Sequence, residues 1–110
     1  MESAAILLRI FLDENDRYGN KPLYMAVVDA LRLRGFTGAT VLKGIEGYGI
    51  HRSVHSARVM GVELNLPIVI EVIEVESRID ELMPTLREMI PEGLLTLENV
   101  RALRLRKGDG

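Results

Sequence analysis

Pro67-Ile-Val-Ile-Glu-Val-Ile-Glu-Val75, followed at once by a helical stripe that runs to Ile90, is the stretch whose reading decides the fold. Side chains alternate along an extended chain, so Ile68, Ile70 and Val72 share one face while Val69, Glu71, Ile73 and Val75 share the other. This is the strongest strand signal in the sequence. From Ile79 the spacing changes, and Ile79, Leu82, Met83, Leu86, Met89 and Ile90 recur at steps of three and four, which places them along one side of a helix. Ser77, with Asp80 three residues on, reads as its cap. Pro84 lies inside the stripe, where its missing N–H and its clash with the Asp80 carbonyl predict a kink or a broken first turn. Pro91 and Gly93 end the helix.

Working outward from this strand and helix, a second such unit precedes it. Ala5 to Leu12 alternates Ile6, Leu8, Ile10 and Leu12 against Leu7, Arg9 and Phe11, as a central strand with two largely covered faces does. Residues 13–20 are polar and read as a loop. Lys21-Pro22 then opens a helix, because proline suits a first helical turn, with Leu23, Ala26, Val27, Ala30, Leu31 and Arg34 at helical spacing and Gly35 as the stop. Ala39 to Ile45 reads as the next strand; Val54 to Leu64 has no clear period. After the second helix, Asn99 to Arg106 alternates as the last strand. The order is strand, helix, strand, strand, helix, strand, the split βαβ pattern of an α+β ferredoxin-like domain: a four-stranded antiparallel sheet with both helices on one face, in a single domain over residues 1–110. The other face then presents Leu7, Phe11, Val69, Ile73 and Leu103, with Arg9 and Glu71 able to face each other across adjacent strands. An apolar patch of that size is more than a soluble monomer exposes, which points to burial between subunits.

Composition narrows the function classes. The 110-residue chain is 47% hydrophobic and 27% charged, ordinary for a globular domain able to fold without staples. It has no cysteine, which removes disulfides, thiolate metal sites and thiol nucleophiles together. A formal net charge of -2 supplies no general field for nucleic acid. The longest apolar stretch, Leu64 to Ile73, is interrupted by Asn65, Pro67 and Glu71 and is too short to span a membrane. With no secretion signal visible, a cytoplasmic location is expected.

The chemistry-bearing stretch is Gly38 to Ser56, which holds four glycines counting Gly38, both histidines of the chain, Lys43 and Arg52. Gly44, Gly47 and Gly49 let a backbone approach a ligand closely. Lys43, Arg52, Arg58, Arg104 and Arg106 are the best candidate anion ligands, since guanidinium forks match phosphate and loop amides add donors. His51 and His55 stand four apart, so a helical segment would offer two imidazoles to one metal, with Glu46 or Glu63 as a third ligand; solvated or ligand-contacting histidines are the more ordinary reading. Asp13, Glu14 and Asp16 form an acidic run in a polar loop. Catalytic use of such a run needs enclosure to push the pKa values apart, and a solvated turn before a helix is the simpler reading. Tyr18, Tyr24 and Tyr48 are either base-stacking surfaces or amphipathic edges of the core, the second being the default for Tyr24. No serine has a partnering His and Asp, so no catalytic residue is assigned.

Thr40-Val41, Gly47-Tyr48-Gly49 and the terminal Arg104-Leu105-Arg106-Lys107-Gly108 resemble the nitrogen regulatory PII signalling proteins. Asp16-Arg17-Tyr18, Lys21-Pro22-Leu23-Tyr24, Gly38-Ala39-Thr40-Val41, Gly44, Gly47-Tyr48-Gly49, His55 and Leu66-Pro67 resemble, over nearly the whole chain, the PII-like family known only as a domain of unknown function. The resemblance implies a homotrimer of ferredoxin-like subunits with no enzymatic activity and no bound cofactor. It further implies small-molecule anions or nucleotides held in clefts between neighbours by residues among Lys43, Gly44, Gly47, Tyr48, Gly49, Arg52, His55, Arg58, Arg104 and Arg106, and a protein target met by the loop after the second strand. The chain departs from PII proteins in three places, one being that the loop after the second strand is short and lacks the tyrosine-bearing tip modified in some of them. Ile90-Pro91-Glu92-Gly93-Leu94-Leu95-Thr96 stands where they carry a glycine-rich phosphate loop, and Glu46 stands where they carry a lysine.

Overall fold

The computed structural model describes residues 2–46 and 66–108, together with the backbone of 58–59 and 62–63. The elements in chain order are β1 (Glu2–Asp13), β2 (Arg17–Tyr18), β3 (Lys21–Pro22), α1 (Leu23–Leu33), β4 (Thr40–Lys43), β5 (Arg58–Val59), β6 (Val62–Glu63), β7 (Pro67–Glu74), α2 (Glu76–Met89) and β8 (Leu94–Leu103). The longer strands form one antiparallel sheet in the order β4-β7-β1-β8. The short pairs β2-β3 and β5-β6 stand apart from it.

The alternation of β1 and β7 sorts their side chains as the sequence implies. Leu8, Ile10, Ile70 and Val72 are at most 1% exposed and meet Leu23, Ala26, Val27 and Leu31 of α1 and Ile79, Leu82, Leu86 and Met89 of α2 in one core. Register explains the tight fit: Ile10 pairs with Ile70 and Leu8 with Val72, so the bulkiest positions of the central strands stand side by side under the helices.

Helix ends are closed by different means. The Leu23 N–H donates to the Asp16 carbonyl at 2.7 Å, so the turn before α1 satisfies one of its orphan donors. Pro22 is still extended, with φ -59 and ψ 137, and the helix begins one residue later than its spacing suggests. At the other end Gly35 has φ +77, and the Gly35 and Phe36 N–H groups donate to Arg32 and Leu31 carbonyls, the two bonds of a Schellman closure. Arg78 of α2 completes it: its Nη2 donates to the Arg34 carbonyl at 2.9 Å, and its guanidinium lies 4.6 Å over the Phe36 ring.

Five expectations are corrected. α2 starts at Glu76 with Val75 as its cap residue and no side-chain cap, so Ser77 lies inside the first turn. That turn is intact, since the Arg78 and Ile79 N–H groups both donate to the Val75 carbonyl, and the helix runs unbroken through Pro84. Pro84 and Asp80 both face solvent, where water can satisfy the carbonyl that proline leaves unbonded. β4 is confined to Thr40–Lys43, because Gly44 turns to pack on Pro67. β8 begins at Leu94 and ends at Leu103 rather than spanning 99–106: Leu94 already pairs with Phe11 and Leu95 with Ile10, and Arg104 and Arg106 follow the ladder. That register also moves Leu103, opposite Glu2, to the helix side of the sheet; Leu94, opposite Phe11, takes its place on the bare side. The weak alternation of an edge strand with one poorly covered face is why the sequence pattern misplaced it.

Candidate functional site

Where β1 ends, β4 ends and β7 begins, three backbone segments converge on one carboxylate. Glu14 Oε2 lies 2.8 Å from Lys43 Nζ, and Glu14 Oε1 accepts the Leu66 N–H at 3.1 Å. The Glu14 N–H in turn donates to the Leu66 carbonyl at 2.9 Å, and the Gly44 N–H donates to the Pro67 carbonyl at 2.8 Å. The chain therefore leaves β4 and returns to β7 through one corner, tied from both sides to the turn after β1. Gly44 is required there by space: a Cβ would stand 2.6 Å from Pro67 Cγ.

The turn carrying Glu14 is built from its acidic neighbours. The Asp13 N–H donates to Asp16 Oδ2, the Asn15 N–H donates to Asp13 Oδ1, and the Asp16 N–H donates to the Asp13 carbonyl. Asp13 and Asp16 thus organise backbone rather than forming an enclosed acid–base pair. The hydrogen bond from Lys43 holds the Glu14 carboxyl below its ordinary value despite partial burial, with the Leu66 N–H adding to the effect. The same bond raises the Lys43 ammonium. The pair is ionised across the neutral range.

The other candidate residues fall in different places. Lys43 is about half-exposed and engaged by Glu14. Arg104 and Arg106 are exposed beyond the end of β8. The Arg58 backbone pairs with Glu63 in the β5-β6 ladder. Gly47, Tyr48, Gly49, Arg52 and His55 lie outside the described residues, as does His51 of the alternative metal site. Among the described residues no group of three His, Asp or Glu side chains could hold a metal ion. Tyr24 packs partly buried against the core, and Tyr18 is exposed. The sequence reading missed the role of Glu14, which it placed in a solvated run. Its partners lie 29 and 52 residues away, and only the strand order brings them together.

The uncovered sheet face is the second feature of note. Leu7, Phe11 and Val69 are half-buried there, and Leu42, Ile73 and Leu94 are about half-exposed. In their midst Arg9 Nε donates to Glu71 Oε2 at 2.8 Å, its partner across the β1-β7 ladder, and Arg9 Nη1 lies 3.3 Å from Glu98 Oε1 of β8. A third feature is a recess of about 330 Å³ at the C-terminal end of α1, lined by Leu33, Arg34, Phe36, Arg78, Glu81 and Leu82.

This strand order, with both helices on one side of the sheet, is that of an α+β ferredoxin-like domain. Among solved structures the chain is similar to CPII, a nitrogen regulatory PII-like protein from Thiomonas intermedia K12 bound to ADP, AMP and bicarbonate, with a TM-score of 0.67 over 96% of this chain and 100% of that one. At 17% identity the likeness is one of fold. Residues 5–102 match the DUF190 family, described as an uncharacterized ACR, and the chain belongs to that family. Its relatives include a UPF0166 protein of Aquifex aeolicus (strain VF5), 33% identical over 90% of this chain and 93% of that protein. Another, from Methanocaldococcus jannaschii, is 37% identical over 78% of this chain and 79% of its own length.

Proposed function

We propose that this protein is a cytoplasmic, non-enzymatic PII-like regulatory module. It is a single domain over residues 1–110 that assembles as a homotrimer and binds an anionic small molecule, a nucleotide above all, in the clefts between subunits. The observation that carries this reading is the fold shared over nearly the whole chain with a PII-like protein bound to ADP, AMP and bicarbonate. The apolar sheet face that a single chain leaves uncovered supports the assembly part of it. Ligand contacts are assigned to Lys43, Gly44, Gly47, Tyr48, Gly49, Arg52, His55 and Arg58 of one subunit and to Arg104 and Arg106 near a neighbour's cleft. The segment after β4 is assigned as the effector loop that meets a protein target.

The test is a thermal-shift and calorimetric titration with ADP, AMP, cyclic dinucleotides and bicarbonate. Saturation at about a hundred times the dissociation constant adds roughly 2.7 kcal/mol per site and raises the midpoint by several degrees. Arg104→Ala or Arg106→Ala removes most of that rise while leaving the midpoint of the free protein nearly unchanged. A panel that leaves the wild-type midpoint where it was overturns the binding-module reading.

A further inference from the structure

We propose that Glu14 is a built-in competitor for the anion position at Lys43, and that displacing it from Lys43 is felt at Leu66 through the other oxygen of the same carboxylate. The inference rests on the reading that places Lys43 among the ligand contacts. It goes beyond that reading by naming how occupancy of the site is opposed and reported.

The geometry supplies both halves. One oxygen of Glu14 meets the ammonium at 2.8 Å while the other accepts the Leu66 N–H at 3.1 Å, so the carboxylate cannot swing toward or away from Lys43 without disturbing its bond to Leu66. Exposure is asymmetric: the Lys43 side chain is 55% exposed and that of Glu14 21%, so an incoming anion reaches the ammonium from solvent while the carboxylate is held behind it. An ammonium has three donors, and a phosphate oxygen using a second one comes within about 4 Å of Glu14, where like charges repel. The repulsion is relieved by movement of Glu14. Binding at Lys43 and the bond at Leu66 are then coupled, and the coupling is reciprocal.

Two measurements on the full-length protein test this. In the ligand-free protein, Lys43→Met and Glu14→Ala each speed hydrogen exchange at the Leu66 amide several-fold, whereas Glu14→Gln, which keeps an acceptor oxygen, does so least. Exchange at Leu66 that Lys43→Met leaves unchanged breaks the link and overturns the proposal whatever ligand the protein binds. With ADP as the probe, Glu14→Gln lowers the dissociation constant roughly five-fold or more, the smaller end of ordinary coupling, and the Leu66 amide resonance moves on ADP addition in wild type but not in Glu14→Gln. Equal ADP affinity in wild type and Glu14→Gln overturns this proposal alone. ADP that binds neither protein overturns the nucleotide reading, and the competitor role with it.

Discussion

The two faces of the sheet are made by the same strands, yet one is finished and the other is not. Leu8 and Ile10, with Ile70 and Val72 beside them, vanish under α1 and α2, whereas their immediate neighbours Leu7, Phe11, Val69 and Ile73 retain contact with solvent. Both sets are apolar. The difference lies in the helices, whose apolar stripes cover one side only, and it teaches that hydrophobic alternation can supply two apolar faces of which a single chain covers one.

The sharpest way to break that comparison is to cut a side chain from each face. Ile10→Ala removes a fully buried group from the helix side and costs about 2–5 kcal/mol by denaturant unfolding. Phe11→Asp, one residue on, alters the other side. It leaves a folded chain but dissociates the assembly, so that sedimentation reads one chain mass where wild type reads three. A wild-type protein that sediments as a monomer at micromolar concentration removes the second interface from the account.

Arg9 sharpens the contrast, because it is the charged centre of the unfinished face, held by Glu71 and Glu98. On an open surface such pairs contribute little, but burial makes an unmatched member costly. Arg9→Met therefore weakens the trimer by roughly tenfold or more, the penalty of leaving two carboxylates unmatched under a neighbour. Adding Glu71→Met and Glu98→Met restores most of the loss. Equal sedimentation profiles for the single and triple variants would place these charges outside the subunit contact.

A smaller effect distinguishes the corner at Lys43 from the chain just before β4. Gly44→Ala drives a Cβ into Pro67 and costs about 1–3 kcal/mol. Gly38→Ala meets nothing within 4 Å and is neutral or stabilising by under about 1 kcal/mol. Chemical denaturation of both variants checks the pair, and a Gly44→Ala protein as stable as Gly38→Ala means the corner yields.

The finished face was legible in the sequence because its signal is periodic: the alternation of β1 and β7 and the stripes of both helices placed Leu8, Ile10, Ile70, Leu82 and Leu86 in the core directly. What was misread lacked a period or depended on distant partners. β8 is an edge strand with one sparsely covered face, so Leu94 and Leu95 looked like loop. Ser77 offered a plausible cap, but Val75 leads into the helix from the end of β7 and sets its start two residues earlier. Glu14 is the instructive case. Nothing local distinguishes it from Asp13 and Asp16, and its role exists only because β4 and β7 deliver Lys43 and Leu66 to the end of β1.

That role gives the smallest and most specific expected effect, a pH response confined to the corner. The Glu14 carboxyl is held below its ordinary 4.5, so in the window beneath that value the unfolded chain binds more protons than the folded one; the ion pair's contribution is whole above pH 4.5 and fades as the pH falls through the lowered folded value. Lys43, raised above 10.5, closes the window from the other side: its contribution is whole below pH 10.5 and is lost as the pH climbs through the raised value. The contribution is small, because solvent screens a partly exposed pair of this kind. A melting curve against pH does not isolate it, because Glu2, held by Arg101, and Asp29, held by Lys21, are also lowered and titrate in the same acid range. The Leu66 amide does, since it bonds to Glu14 directly and to neither of the others. Its chemical shift follows an acid transition with a midpoint below 4.5, with Lys43, Tyr24, Asp13 and Asp16 as the surrounding ionisable groups. In Lys43→Met that midpoint moves up toward the ordinary carboxylate value, and in Glu14→Gln the transition disappears. A midpoint that Lys43→Met leaves in place would mean that the Leu66 N–H alone holds Glu14 in its ionised form.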